Sequence, residues 1–172
     1  DSLKLRLAYS TVSQLSYIVL AAFLLNLTAL NGAMQHMLAH GFAKITPFFA
    51  AGIIYVLAGK TQVSELNGLG RKMPITFLCF LVASCSLIGL PYFAGGITKD
   101  LITAGIAASG AEFLQYILYI SMGLNILYLG PIIIRGFFGK VEEKIEVGSS
   151  FIMVGVIVLT SLLVLSLSLI HI

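Results

Sequence analysis

Apolar stretches of twenty or more residues recur along this chain, and they restrict its fold more than any other feature. They read at about residues 5–30, 32–58, 74–109, 113–138 and 149–171. A helix needs about 20 apolar residues to cross the ~30 Å hydrocarbon core of a bilayer. Inside that core every backbone N–H and C=O must be bonded within the protein, so helices and closed barrels alone can span it. The expected fold is all-α and integral to the membrane, one transmembrane helical unit over residues 1–172 with about five segments. Composition agrees, with 59% of residues hydrophobic and 10% charged, where soluble proteins carry about 25% charged. A net charge of +3 is too small to imply nucleic acid, so the expected surroundings are lipid.

The third segment reads as broken. Pro91 removes a backbone donor, and Gly95 followed by Gly96 makes a continued helix costly. The sequence nevertheless stays apolar on both sides, through Ala108. This predicts a discontinuous membrane helix, interrupted near 91–96 and resuming near Ile97. Interrupted backbone at membrane depth is tolerated where it is buried in protein or lines a cavity, and such breaks mark ion sites in transporters. A loop outside the membrane followed by a short surface helix is the alternative.

Basic residues set the topology. If each segment crosses once, Lys4, Arg6, Lys60, Arg71, Lys72, Arg135, Lys140 and Lys144 all fall on one side, and the other carries only Glu112. The positive side is cytoplasmic, or the matrix side in a mitochondrion. The alternation requires the broken segment to count as one crossing. Two basic residues stand apart, Lys44 and Lys99, both inside apolar segments.

Lys44 ends a stripe with His36 and His40. Spacing of four places all three on one helix face, about 6 Å apart along the axis. A charged amine in the bilayer interior costs several kcal/mol and marks an ion or proton path by default. Imidazole both accepts and donates protons near neutral pH, as a relay requires. Packing by the histidines, or an ion pair for Lys44, is the structural alternative. Lys99 with Asp100 follows the break and reads as a further path residue. Lys4 reads as a membrane-edge anchor or the start of the path. Tyr9, Ser10, Thr11, Ser13, Gln14, Ser16 and Tyr17 add a polar stripe to the first segment, able to join helices or support a water wire.

Other chemistries find no support. Cys79 and Cys85 read as small buried hydrophobes, with no disulfide framework or metal pattern. No carboxylate shares the face of His36 and His40, and two histidines one turn apart cannot sandwich a haem. Paired-carboxylate, phosphate-loop and iron–sulfur patterns are absent. No cofactor or metal is expected, and enzymatic chemistry in this chain is left open. The abrupt start at Asp1 suggests a piece of a longer polypeptide.

Four motifs in order resemble a known family. They are Lys4-Leu5-Arg6-Leu7-Ala8-Tyr9-Ser10-Thr11-Val12-Ser13-Gln14-Leu15-Ser16-Tyr17, His36-Met37-Leu38-Ala39-His40-Gly41-Phe42-Ala43-Lys44, Gly68-Leu69-Gly70-Arg71-Lys72-Met73-Pro74, and Leu90-Pro91 with Gly95, Thr98, Lys99 and Asp100. Together they are similar to antiporter-like membrane subunits of proton-pumping NADH:quinone oxidoreductases (complex I), shared with multisubunit sodium/proton antiporters. The Lys99-Asp100 ending, with Tyr128 and Arg135, leans toward the distal subunit, L in bacteria and 5 in mitochondria. Ser16, Gly41, Thr98 and Gly96 depart from the usual residues without removing an ionisable group.

The resemblance implies a second half-channel with Lys44 as its central protonatable lysine. His36 and His40 would connect it laterally, Lys4 would lie on the same polar axis, and Lys99 would be the terminal lysine on the broken helix. It also implies a missing N-terminal half of the same subunit, and redox chemistry confined to partner subunits. The expected activity is proton translocation in a respiratory complex of a bacterial, archaeal or mitochondrial inner membrane. A sodium/proton antiporter subunit and a structural subunit without transport are the alternatives.

Overall fold

A computed structural model describes residues 1–140 and 148–170. Helix α1 spans Leu3–Phe23, α2 Leu27–Ala58, α3 Leu69–Lys72, α4 Pro74–Ile88, α5 Ala94–Ala108, α6 Phe113–Phe138 and α7 Phe151–Ile170. A 3-10 turn at Val63–Leu66 lies between α2 and α3. Three of these helices, α2, α6 and α7, are long and apolar enough to cross a membrane, and α4 is apolar but shorter. Helix α1 has 21 residues but carries Lys4, Arg6 and the row of hydroxyls and amides.

The first expected segment ends early, because residues 27–30 belong to α2 rather than α1. Asn26 is the cause. Its backbone is extended, and its Oδ1 accepts the Ala29 N–H at 2.8 Å as an N-cap. Its Nδ2 donates to the Gly105 carbonyl at 2.7 Å and Ser109 Oγ at 2.6 Å, tying the turn to the end of α5. At 32 residues, α2 is about 48 Å long, the longest helix and the one against which α1, α4, α5 and α7 pack.

Helices α4 and α5 follow α2 end to end in the opposite direction. Residues 72–76 line a cavity with Leu57 near the end of α2. Thr98 then meets His36, a Cβ on Gly32 would touch Ile102, and one on Gly105 would touch Ala29. The third expected segment is therefore one helix in two halves of 15 residues each, but the interruption is residues 89–93 rather than 91–96. Helix α5 resumes at Ala94, with Gly95 and Gly96 in its first turn, where close packing requires small residues. Neither half alone matches a ~30 Å core at 1.5 Å per residue.

One end of the bundle gathers the basic residues. The Leu3 N–H donates to the Thr61 carbonyl at 2.9 Å, the Gly68 N–H to the Arg135 carbonyl at 2.9 Å, and the Gly148 N–H to the Leu57 carbonyl at 2.9 Å. Arg71 Nε donates to the Phe137 carbonyl at 2.8 Å, and Arg6 to the Tyr128 carbonyl at 3.1 Å. The starts of α1 and α7 and the ends of α2 and α6 thus meet around the 59–72 connection. Glu65 organises that connection. It accepts the Gln62 and Thr61 N–H groups at 3.0 and 3.1 Å, which hold its carboxyl below the usual range. Lys144, expected on the same side, and residue 171 of the last segment lie outside the described residues.

Two apolar clusters stack along α1 and α2. Leu3, Leu7, Ile53, Leu66, Phe77 and Phe80 belong to the one toward the basic end. Tyr17, Ala21, Ala29, Ala33, Ile102 and Ile106 belong to the other. Cys79 is buried among the first cluster and Cys85 is partly buried, both as free thiols. Between the clusters lie Ser10 and Gln14 of α1 and His36, His40 and Lys44 of α2, all buried.

Gly105 and Gly41 separate packing from propensity. A Cβ on Gly105 would sit 2.6 Å from the Ala29 Cα, whereas one on Gly41 would meet nothing within 4 Å. Gly105→Ala is expected to destabilise by about 1–3 kcal/mol through overpacking. Gly41→Ala is expected to be neutral or stabilising by up to ~1 kcal/mol. Thermal unfolding of the detergent-solubilised protein checks the ranking.

Candidate functional site

The helix break builds a seat for an amine. Helix α4 ends in a Schellman motif, in which the Leu90 N–H donates to the Cys85 carbonyl and the Gly89 N–H to the Ser86 carbonyl, both at 3.1 Å. The motif needs a left-handed residue, and Gly89 supplies it at φ 94°. The next donor for the Leu87 carbonyl would be residue 91, and Pro91 has none. Lys99 Nζ takes the freed oxygens, donating to the Leu87 carbonyl at 2.7 Å and the Ile88 carbonyl at 3.1 Å. The amine also lies 5.2 Å from the Tyr17 ring centroid. Lys99 is 1% exposed, so these carbonyls and the negative end of the α4 dipole offset the cost of burying it.

The start of α5 fits closely against this seat. A Cβ on Gly95 would overlap the Ser86 carbonyl, and one on Gly96 the Leu90 carbonyl. The exposed donors of the first turn are used. Ala94 N–H donates to Ser168 Oγ at 3.0 Å and Gly95 N–H to Ser86 Oγ at 3.3 Å. The adjacent glycines therefore let the second half-helix begin alongside the last turn of the first.

Lys44 is served by hydroxyls. Its Nζ donates to Ser10 Oγ at 2.6 Å. The Tyr128 hydroxyl bonds to Ser10 Oγ at 2.7 Å and also to Asn125 Oδ1. Asn125 Oδ1 accepts from Gln14 Nε2 at 3.1 Å, and that nitrogen also donates to the Leu87 carbonyl at 3.1 Å. Gln14 Oε1 lies 3.1 Å from His36 Nε2, and His36 Nδ1 lies 2.8 Å from Thr98 Oγ1. A continuous hydrogen-bonded chain thus runs from Lys44 through α1 and α6 to the start of α5. Leu87 is common to its far end and to Lys99. A side branch joins Ser13, Ser121 and Tyr17.

The structure brings Lys44, His36, Lys99 and Gln14 into this network, with Ser13 on the side branch. His40 is buried and its ring lies against that of His36, with centroids 6.2 Å apart and planes at 22°. Its Nδ1 has no hydrogen-bond partner among the described residues. Lys4 is exposed at the basic end, 5.0 Å from the Tyr55 ring centroid. Asp100 and Tyr9 are exposed and away from the chain of hydrogen bonds. Ser121, Asn125 and Tyr128 joined the network without having been singled out as site residues. Their spacing on α6 puts the three on one helix face, a polar stripe in an apolar block and the signal that would have found them. Among the described residues no three His, Cys, Asp or Glu side chains converge as a metal site requires.

The sequence matches the family described as "NADH:quinone oxidoreductase/Mrp antiporter, TM" over residues 1–124. It is 38% identical over 127 residues to NADH-quinone oxidoreductase subunit N of Desulforudis audaxviator, covering 74% of this chain and 25% of that protein. It is 34% identical over 144 residues to subunit L of Mycobacterium tuberculosis, covering 81% of this chain and 23% of that one. The chain thus spans about a quarter of the length of these curated relatives, and both N-type and L-type subunits resemble it. Its fold is that of the Mrp complex of Dietzia sp. DQ12-45-1b, with a TM-score of 0.85 at 20% identity, covering 95% of this chain and 39% of that one. Complex I of Thermus thermophilus with bound aureothin follows at 0.60 and 23%, covering 97% and 43%.

Gly89 tests the amine seat. A Cβ there would lie 2.9 Å from Lys99 Cδ and 3.2 Å from its Nζ. Gly89→Ala is expected to cost about 1–2 kcal/mol for the left-handed backbone alone, and to push the amine off its carbonyls. A lowered melting temperature together with increased reactivity of Lys99 toward an amine-selective label is the expected result.

Proposed function

Because this chain belongs to the NADH:quinone oxidoreductase/Mrp antiporter family of membrane proteins, we propose that it moves protons between buried lysines as part of a respiratory NADH:quinone oxidoreductase. The chain is one half-channel, the second, of an antiporter-like subunit whose remaining part lies outside it. Lys44 is the central proton carrier and Lys99 the terminal one. His36 and His40 lie along the line that joins them. Lys4 marks the basic entrance side, and redox chemistry belongs to partner subunits.

One observation carries this reading. Two amines, 6% and 1% exposed, sit in an apolar bundle without a carboxylate partner among the described residues, joined instead by neutral hydroxyls, amides and an imidazole. A structural charge in hydrocarbon is normally paired with an opposite charge. An amine held only by neutral acceptors can keep or release its proton without leaving a counter-charge buried, as a carrier must.

The same geometry serves a multisubunit sodium/proton antiporter, a second reading favoured by the family description, which names both. The driving reaction distinguishes them. NADH oxidation drives pumping in the first, and a sodium gradient drives proton exchange in the second.

The test uses the complete subunit in its complex, reconstituted in vesicles. Lys44→Ala and Lys99→Ala are each expected to lower proton movement about tenfold or more, equivalent to ~1.4 kcal/mol on the limiting barrier, with normal assembly. Wild-type pumping in either assembled variant contradicts a carrier role for that lysine. Loss of assembly in both variants indicates a structural subunit.

A further inference from the structure

The orientation of every amide in the network can be deduced, and that orientation sets the proton position on His36. The Leu87 carbonyl only accepts, so the Gln14 atom 3.1 Å away is its NH2 group. The Ser121 carbonyl likewise accepts from Asn125 Nδ2 at 2.8 Å, which turns Asn125 Oδ1 toward Gln14. Both constraints agree, and Gln14 Oε1 is left facing His36 Nε2 at 3.1 Å. An amide oxygen cannot donate, so His36 Nε2 must carry hydrogen. In the neutral ring, Nδ1 is then a bare acceptor, 2.8 Å from Thr98 Oγ1.

Thr98 has one hydroxyl proton and two claims on it. Besides His36 Nδ1, its Oγ1 lies 3.2 Å from the Gly95 carbonyl in the first turn of α5. Against neutral His36 the hydroxyl donates to Nδ1. Once Nδ1 is protonated it becomes the donor, the Thr98 oxygen accepts, and the hydroxyl proton turns to the Gly95 carbonyl. One N–H bond forms on the ring with the incoming proton, no other covalent bond changes, and the Thr98 hydroxyl exchanges Nδ1 for the Gly95 carbonyl as its acceptor.

We propose that Gln14 and Thr98 are positioning residues of the path: Gln14 holds His36 with a proton on Nε2, and Thr98 turns between His36 and the Gly95 carbonyl as Nδ1 gains and loses a proton. This rests on the proton-path reading above and adds the means by which the broken helix senses His36. Gln14 also shares the Leu87 carbonyl with Lys99 Nζ, so the group that orients His36 is tied to the terminal amine. The titratable groups around His36 are His40 on its own helix, Tyr17 on α1, Lys99 on α5 and, through Asn125, Tyr128 on α6.

The test uses the full subunit assembled in its complex and reads proton pumping in vesicles. Thr98→Ser keeps the hydroxyl and is expected to pump within about twofold of wild type. Thr98→Val keeps the shape without the hydroxyl and is expected to lose about tenfold, less than the ~10²–10⁴-fold of a group that itself transfers the proton, because Thr98 acts by positioning His36. Gln14→Met removes the acceptor for Nε2–H, and both the rate and the pH profile of pumping are expected to move. Thr98→Ser as impaired as Thr98→Val overturns the proposal, as does wild-type pumping by Thr98→Val. An unchanged rate and pH profile in Gln14→Met does the same for the tautomer lock. If Gln14→Met does not assemble, the valine and serine pair decides alone. Lys44→Ala and Lys99→Ala serve in the same preparation. If they pump normally, the path reading itself falls. If they are blocked while Thr98→Val and Gln14→Met pump normally, only the present inference falls.

Discussion

The polar interior of this chain depends on two carbonyl oxygens. In hydrocarbon a backbone carbonyl without a donor costs several kcal/mol. The Gly89-Leu90-Pro91 sequence leaves the Leu87 and Ile88 carbonyls outside the helical pattern, in the middle of the bundle. An equally costly amine, Lys99, comes to rest on them at 2.7 and 3.1 Å. Each defect satisfies the other. Break the helix without the lysine, or bury the lysine without the break, and a polar group is stranded.

From that pairing the arrangement of the other helices follows. Helix α5 must start close enough to α4 for Lys99 to reach back. Gly95 and Gly96 permit this, because any side chain there would strike the Ser86 or Leu90 backbone. Thr98, one position before Lys99, is thereby set against His36 on α2. Gln14 of α1 reaches the Leu87 carbonyl from the other side. Helices α1, α2, α4 and α5 thus meet at one break, and α6 joins them through Asn125 and Tyr128. The hydroxyl groups lie toward Lys44 and the amides toward His36. An amide does not readily pass a proton onward, since doing so would demand its unstable tautomer. The Gln14–Asn125 contact therefore separates the hydroxyls around Lys44 from the surroundings of Lys99, and the imidazoles of His36 and His40 lie on α2 between the two lysines.

Much of this was legible in the sequence. The helical, membrane-spanning class follows from block length against bilayer thickness, and three helices, α2, α6 and α7, are long and apolar enough to span. That the third segment breaks follows from Pro91, although the interruption falls at residues 89–93 and Gly95 and Gly96 lie inside α5, and the stripe of His36, His40 and Lys44 follows from a spacing of four. The gathering of Lys4, Arg6, Lys60, Arg71 and Arg135 at one end follows from alternation. The boundary between the first two helices was misplaced, because Asn26 looks like any polar residue until its cap to Ala29 and its bonds to α5 are visible. Within the polar stripe of α1, Tyr9 and Gln14 could not be separated. The structure leaves Tyr9 69% exposed and Gln14 fully buried, a difference of helix rotation that the apolar character of both faces conceals.

By itself the sequence determined what the bilayer demands of any chain: where backbone can remain helical, where it must break, and which charges cannot reach water. Those are local properties, set by residue type and spacing. Only the tertiary structure decided which groups answer those demands. The freed Leu87 carbonyl, the rotation of α1 that turns Gln14 inward, and the approach of Thr98 to His36 across 62 positions depend on contacts between distant segments. A hydrogen bond needs its partners placed within a few tenths of an ångström, and that placement is fixed by how whole helices pack.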